Sequence, residues 1–459
     1  MFFKRQPVHF TGIGGIGMSG LAEILLEMGY PVSGSDARSS AITQGLERRG
    51  AKVFQGHDAV HLGEAKAVIY SSAVPPDNPE IVEAHRRGIS VIPRGELLAE
   101  LMRLKFGIAV AGSHGKTTTT SMIAAIMTHA NLDPTVVVGG RVGMMGGANA
   151  RLGKSEYLVV ESDESDGSFL KLAPILAVVT NVDREHLDHY SGIEEIRAAF
   201  AQFIGRVPFY GAAFLCLDDE NIQQLLPSLN RRAITYGANA QADLRVTQSS
   251  AAHMGSQFRL EFRGRDLGCF KLNVPGAHNT LNAAAAVAVA LELEIPVEQI
   301  CAGLEHFTGV ERRFQIRGRE HGITVIDDYG HHPTEIRATL AAARACKFAR
   351  IHVLFQPHRY TRTQALLDEF ARCFHQADSV FVIDIYGASE KPIPGVDSQK
   401  LVERIQAFGH RGAHYSGAMN DGIAAVAAAA QEGDAILTLG AGSVSQAGDV
   451  ILEQLGSAR

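Results

Sequence analysis

Twice in its first 120 residues the chain passes from a short apolar strand through a glycine-rich turn into a helix. The first turn, Thr11-Gly12-Ile13-Gly14-Gly15-Ile16-Gly17, follows Pro7–Thr11; the second, Ala111-Gly112-Ser113-His114-Gly115-Lys116-Thr117, follows Gly107–Ala111. Such a turn lines up backbone N–H groups at a helix N-terminus, where they hold phosphate oxygens. It also commits the chain to α/β architecture, because parallel strands need crossover connections, usually helical. The stretches Pro7–Thr11, Pro31–Ser35, Lys52–Gln55, Ala67–Ser71 and Ser90–Pro93 alternate with helical periods. They predict a parallel sheet buried on both faces.

The pattern restarts near Arg103–Phe106. Strands are expected at Tyr157–Val160 and Ile175–Thr180, with a helix from Ile193 to about Ile204. The more polar Arg245–Thr247, Gln257–Phe262 and Cys269–Leu272 read as half-exposed antiparallel strands, followed by an alanine-rich helix, Thr280–Leu293. A further series begins after Arg312-Arg313-Phe314, with strands Thr324–Asp327, Ile351–Phe355, Val380–Ile383 and Ala435–Leu439. The run Ala424–Ala430 reads as a buried helix. At 459 residues the chain is too long for one ordinary domain, and three α/β domains are expected, 1–105, 106–311 and 312–459, each with its own sheet.

A net charge of −6 gives no whole-protein electrostatic grip on nucleic acid or an anionic membrane. The cysteines at 216, 269, 301, 346 and 373 are widely spaced and form no C-x-x-C pair. That argues against a disulfide framework or a cysteine zinc site and suits a reducing cytosol. No apolar run reaches membrane-spanning length, and Met1–Arg5 leads directly into a strand instead of a signal peptide.

Gly12, Gly14 and Gly17 fit a dinucleotide or other diphosphate turn, with Asp36 placed to accept hydrogen bonds from a ribose. In the second turn, Lys116 after Gly115 sets an ammonium beside β/γ-phosphates, and Thr117 offers a hydroxyl to Mg²⁺. Two strand ends then carry acids: Glu161-Ser162-Asp163-Glu164-Ser165-Asp166 and Asn181-Val182-Asp183-Arg184-Glu185-His186-Leu187-Asp188. Acids at adjacent parallel strand ends face one crevice, and Mg²⁺ prefers oxygen ligands, so Thr117 and Glu161 are natural ligands and His186 a less usual one. In the last third, Asp327–Glu335 and Phe355–Thr363 are polar, aromatic and cationic loops at neighbouring strand ends, which suggests a site. Adjacent His331 and His332 make a poor zinc pair, with no third ligand obvious.

Together, Gly12–Gly20, Gly112–Thr120, Glu161–Asp166, Asn181–Asp188, His278–Asn282, Arg312–Phe314, Asp327–Glu335 and Gln356–Thr363 resemble, in order, the Mur ligase family of peptidoglycan synthesis. The match is nearest to its alanine-adding members. The resemblance implies an N-terminal Rossmann-like domain for a UDP-sugar, a central P-loop ATPase-like domain with a mixed sheet, and a C-terminal Rossmann-like domain for the amine. It implies UDP-N-acetylmuramate, L-alanine and ATP as substrates and two Mg²⁺ ions, in a cytoplasmic monomer or homodimer. Gly12, Gly14, Gly15, Gly17 and Asp36 would hold the UDP-sugar. Gly112, Ser113, His114, Gly115, Lys116, Thr117, Thr118, Asn279, Asn282, Arg312 and Asp327 would hold ATP. Thr117 and Glu161 would bind one metal, Glu161 with His186 the second. Tyr329, His331, Arg359 and Arg362 would handle alanine; the implied catalytic set is Lys116, His186, His331, Arg359 and Arg362. Later-acting members carry a carbamylated lysine where this chain has Phe200. The alternatives are a recycling ligase attaching an intact tripeptide, a dinucleotide-dependent oxidoreductase, and a nucleotide-driven switch.

Overall fold

The computed structural model describes residues 5–71, 73–142, 147–186, 189–252 and 254–457. Met1–Lys4 of the stretch read as leading into the first strand, and Leu187 and Asp188 of the second acidic motif, lie outside them. Among the described residues twenty-one strands form three sheets. The first comprises β1 (Val8–Thr11), β2 (Val32–Asp36), β3 (Lys52–Gln55), β4 (Ala67–Tyr70) and β5 (Ser90–Pro93), all parallel, in the order β3-β2-β1-β4-β5. Every residue of β1 is buried, with Phe10 at its centre. Strand order reverses at β1, and such a switch point opens a crevice at the strands' C-terminal ends, beside the first glycine turn.

The second sheet contains β6 (Phe106–Ala111), β7 (Thr135–Val142), β8 (Ala148–Arg151), β9 (Tyr157–Glu161), β10 (Leu176–Val179), β11 (Ala212–Cys216), β12 (Ala233–Gly237), β13 (Leu244–Ala252), β14 (Gly255–Phe262) and β15 (Arg265–Leu272). Its order is β15-β14-β13-β12-β11-β10-β6-β9-β7-β8. β9, β6 and β10 are parallel neighbours, with Val110 opposite Glu161 and Ala111 opposite Val179, so the second glycine turn leaves the sheet between the two acid-bearing strand ends. β7 and β8 pair antiparallel, which makes the sheet mixed.

The third sheet holds β16 (Gln315–Glu320), β17 (Ile323–Asp328), β18 (Ile351–Phe355), β19 (Ser379–Ile383), β20 (Ala413–Gly417) and β21 (Ala435–Leu439), ordered β16-β17-β21-β18-β19-β20. Only the β16–β17 pair is antiparallel among its described pairings. The helix over the alanine run spans Met419–Ala429 but is not a buried one. Gly422, Ile423 and Val426 are buried, while Ala424 and Ala428 are exposed. Alanine's helix propensity is indifferent to burial, so the run predicted the element and not its environment.

By packing the chain divides into two compact units. One holds residues through Thr247 with Arg259–Phe270 and Leu281–Phe307; the other holds Gln248–Phe258, Lys271–Thr280 and Thr308–Arg459. Within the first, the helix Ile16–Glu27 that opens from the first glycine turn lies against β8. A Cβ added at Gly20 would stand 2.8 Å from Ala150 Cβ and 3.2 Å from Asn149 Oδ1, so the two backbones meet at a distance only glycine permits.

Candidate active site

In the first turn, Gly12 takes φ +81° and, with Ile13, donates its N–H to Ser35 O. Gly14 N donates to Asp36 Oδ2 at 2.9 Å, and a Cβ on Gly14 would lie 2.8 Å from that same oxygen. Asp36 therefore braces the turn itself, its other oxygen taking Arg38 N. Gly15 precedes the helix in extended conformation, and Gly17 passes close to Arg94, whose guanidinium reaches Asp163 at 2.9 Å.

Beneath this turn sits a charge that sequence reading missed. Glu80 is wholly buried and accepts from Ser35 Oγ (2.7 Å), Thr11 Oγ1 (2.8 Å), His9 Nε2 (3.2 Å) and His61 Nδ1 (3.1 Å). Burial alone would raise its pKa, but the donors from His9, Ser35 and Thr11 outweigh it and hold the carboxyl at about 2, against an ordinary 4.5. A depressed folded value means stabilisation that is present above pH 4.5 and is lost as pH falls toward 2. Glu80→Gln should remove roughly 3 kcal/mol of that acid-labile stability. Urea unfolding between pH 5 and 2 reads it as a flatter pH dependence, and unchanged curvature would sink the assignment.

The second turn is held from both sides. Ser113 N donates to Asn181 O, His114 N donates to Asn181 Oδ1 (2.8 Å), and Asp183 N donates to Ser113 Oγ (2.8 Å). Gly115 takes φ +82°, and a Cβ there would meet Asn282 Oδ1 at 2.5 Å. Asn282 is thus brought to the turn, while Asn279, one turn earlier on the helix Ala277–Glu292, donates to Pro275 O (2.7 Å). Lys116 opens the helix Lys116–His129, with Thr117 and Thr118 buried in its first turn. Thr117 Oγ1 donates to Glu161 Oε1 at 2.9 Å, and Gly139 N donates to Glu161 Oε2 at 2.6 Å.

The expected pairing of Glu161 with His186 takes a different form. His186, at φ +54°, has its Nε2 3.3 Å from Glu164 and 3.8 Å from Glu185. Glu164 also pairs with Lys116 at 2.6 Å. Burial pushes the Lys116 ammonium down, but Glu164, Glu161 and Glu185 overcome that and leave its pKa raised. His186 is likewise raised, burial being outweighed by Glu164 and Glu185. Among the described residues Glu164 Oε2 and Glu185 Oε1 are buried without a hydrogen-bond donor, so this oxygen-rich cluster with one imidazole suits a hard divalent cation. Asp163 and Asp166 serve the loop, accepting from Ser165 and Ser168. Phe200 is a core residue, wholly buried and 5.3 Å from the Phe169 ring.

The third group lies in the second unit. Arg312, at φ +59°, donates from Nη2 to Gly440 O (2.6 Å), lies 3.5 Å from Asp327 and covers the Tyr329 ring at 4.8 Å. Asp327 accepts from Thr438 Oγ1 at 2.7 Å. Both Asp328 oxygens are taken by backbone, from Gly330 N and Phe314 N at 2.7 Å each, and burial pushes its pKa up to about 6. His331 lies T-shaped to Tyr329 at 5.1 Å and 5.9 Å from His358, whose Nδ1 is 3.3 Å from Arg362 Nη1. Burial, with Arg362 and Arg359 adding, drives His358 down to about 4. Burial carries His331 to about 3 against the pull of Glu335, so both rings are neutral at neutral pH. Arg359, at φ +69°, donates its backbone N–H to Tyr386 O. His358, Tyr386 and Glu335 were missed as site residues, although His358 stands inside the motif Gln356–Thr363.

Three family models match along the chain: "Mur ligase family, catalytic domain" over residues 7–106, "Mur ligase middle domain" over 110–290, and "Mur ligase, glutamate ligase domain" over 312–442. The chain belongs to the Mur ligase family. Among Mur ligases it is 66% identical to a UDP-N-acetylmuramate–L-alanine ligase of Solibacter usitatus, over 99% of this chain and 96% of that one. It is 55% identical to the enzyme of the same name from Koribacter versatilis, over 99% and 98%. The crystal structure of a UDP-N-acetylmuramate-alanine ligase from Thermotoga maritima superposes with a TM-score of 0.84 at 29% identity, covering 99% of this chain and 100% of that one. A murein peptide ligase from Psychrobacter arcticus shares the fold, with a TM-score of 0.72 at 24% identity and 99% of each chain covered.

Proposed function

We propose that this Mur ligase joins L-alanine to the lactyl carboxylate of UDP-N-acetylmuramate, converting ATP to ADP and phosphate through an acyl phosphate. One observation carries the chemistry: a buried ammonium, Lys116, at a glycine turn set between two acid-bearing strand ends. A carboxylate is a poor electrophile, and such a site activates it by phosphoryl transfer, with cationic groups neutralising charge on the transferring phosphoryl. The choice of alanine follows eight relatives sharing 50–66% identity, each named a UDP-N-acetylmuramate–L-alanine ligase.

In this reading residues 1–105 hold the UDP-sugar, 106–311 ATP, and 312–459 the amine. Thr117, Glu161, Glu164, Glu185 and His186 would hold two Mg²⁺ ions, which supply charge neutralisation at the phosphates when bound. Lys116 orients the phosphates, while the side-chain-free turn of Gly12, Gly14, Gly15 and Gly17 lets the sugar diphosphate approach the backbone closely, the Gly12 and Gly14 N–H groups being engaged by Ser35 O and Asp36 Oδ2. Arg362 and Arg359 receive the alanine carboxylate. Neutral His331 accepts a hydrogen bond from the incoming amine, a task closed to Asp328 because backbone donors occupy both its oxygens. The enzyme acts in the cytoplasm.

A phosphate-release assay with ATP, Mg²⁺ and UDP-N-acetylmuramate tests this, with L-alanine or the tripeptide added in turn. Turnover is expected with alanine alone. Turnover with the tripeptide points to the recycling reaction, and turnover without any amine points to a switch. Among the described residues no helix is long and apolar enough to cross a membrane.

A further inference from the structure

Lys116 has three ammonium hydrogens, and three acceptors take them: Gly112 O at 2.6 Å, Ser113 O at 3.1 Å and Glu164 Oε1 at 2.6 Å. The lysine that phosphates need is therefore fully engaged. Its ion-pair partner is in turn half-used, because Glu164 Oε2 is buried without a donor among the described residues. Glu185 Oε1 is in the same condition, and ligand atoms of Glu164, Glu185 and His186 all lie within 4.8 Å of one another. The Glu164 backbone is pinned, its carbonyl accepting from Tyr190 Oη (2.7 Å) and Gly167 N (3.1 Å), so a change of partner is a side-chain rotation.

On the ATP reading above, we propose that Glu164 is an exchangeable counter-ion of the phosphate loop. Without nucleotide it neutralises Lys116; when phosphate oxygens take the ammonium, it turns to a divalent cation shared with Glu185 and His186. Electrostatics force the exchange. A phosphate that displaces Glu164 without a cation leaves two buried carboxylates sharing one imidazole, His186, beside new negative charge, and an undercompensated buried charge is strongly destabilising. A cation arriving alone meets a carboxylate oxygen still held by Lys116 at 2.6 Å. Nucleotide and cation are thus coupled through one side chain, and the coupling is reciprocal.

Calorimetric titration of the full chain with ATP, in chelator and then in excess Mg²⁺, separates the possibilities. In chelator, Glu164→Gln should bind ATP about fivefold or more tighter than wild type, because a competing anion is gone, and its gain on adding Mg²⁺ should shrink. Glu185→Gln should lose part of the Mg²⁺ gain while its affinity in chelator stays at the wild-type value. A purely structural role for Glu164 gives weaker binding in both conditions, and that result, or equal affinity in chelator, overturns the proposal. If Glu164→Gln does not fold, Glu164→Asp, one methylene short of the lysine, should show the same rise in chelator. Wild type that fails to bind ATP even with Mg²⁺ refutes the ATP reading itself.

Discussion

Lys116→Ala is expected to stop phosphoryl transfer to the sugar carboxylate, lowering the rate by about 10²-fold or more, since a charged contact to the transferring group is lost. UDP-N-acetylmuramate affinity should stay near wild type, because the first glycine turn opens from β1 of a different sheet. Glu164, only 2% exposed, is paired with Lys116 at 2.6 Å. Truncating the lysine breaks a buried pair and leaves that carboxylate with His186, 3.3 Å away, and a broken buried pair costs about 3–5 kcal/mol. A slow enzyme could then be merely an unstable one. The double variant Lys116→Ala/Glu164→Gln decides the matter: it should recover most of the lost melting temperature and none of the rate. Recovery of both would mean that Lys116 serves only the fold. Calorimetry with the UDP-sugar and single-turnover phosphate release supply the two readouts.

Arg362→Lys should raise the KM for alanine about tenfold or more while leaving UDP-sugar binding unchanged. The guanidinium lies 3.3 Å from His358 Nδ1, and His358, pushed down to about 4, is neutral and able to accept from it. One nitrogen is thereby fixed and the planar fork is aimed, leaving parallel N–H groups for a carboxylate. Lysine keeps the charge but has no fork, and its single ammonium cannot bond to the imidazole and span both carboxylate oxygens. Steady-state kinetics at varied alanine concentration measure the effect. An alanine KM within experimental error of wild type would remove Arg362 from the site.

The sequence disclosed the parts whose chemistry is carried by residue type at fixed spacing. Glycines at turns, a lysine after glycine and acids ending strands have few other reasons to occur in that order. Glu164 and Glu185 were harder, because they stand among other acids that cap loops, as Asp163 and Asp166 do. Only folding reveals which carboxylate turns inward. Asp36 illustrates the converse: a strand-end acid reads as a ligand group, yet it spends one oxygen on Gly14 N. β7, β8, β11, β12, β16 and β20 were not foreseen. Four of them are short runs of four or five residues, and β16 is a polar edge strand, Gln-Ile-Arg-Gly-Arg-Glu, without the continuous apolar pattern that marks its neighbours. His358 went unselected because one histidine among arginines looks like charge, and its neutrality comes from burial, which local sequence does not encode.

The fit of Gly20 against Ala150 bears on how such a chain can be recombined. A helix that meets its neighbouring strand with less room than a methyl group needs cannot be paired with an arbitrary replacement. A chimera that takes the N-terminal sheet and its helix from one ligase and the central sheet from another inherits only half of a two-sided fit. Where the donor helix carries alanine or serine at this position, the graft must open the contact or shift the helix. Exchange of the N-terminal module between paralogues is therefore limited less by what the module recognises than by the few atoms at which it is seated, and transplanting Gly20 together with Asn149 and Ala150 is the smallest unit that travels intact.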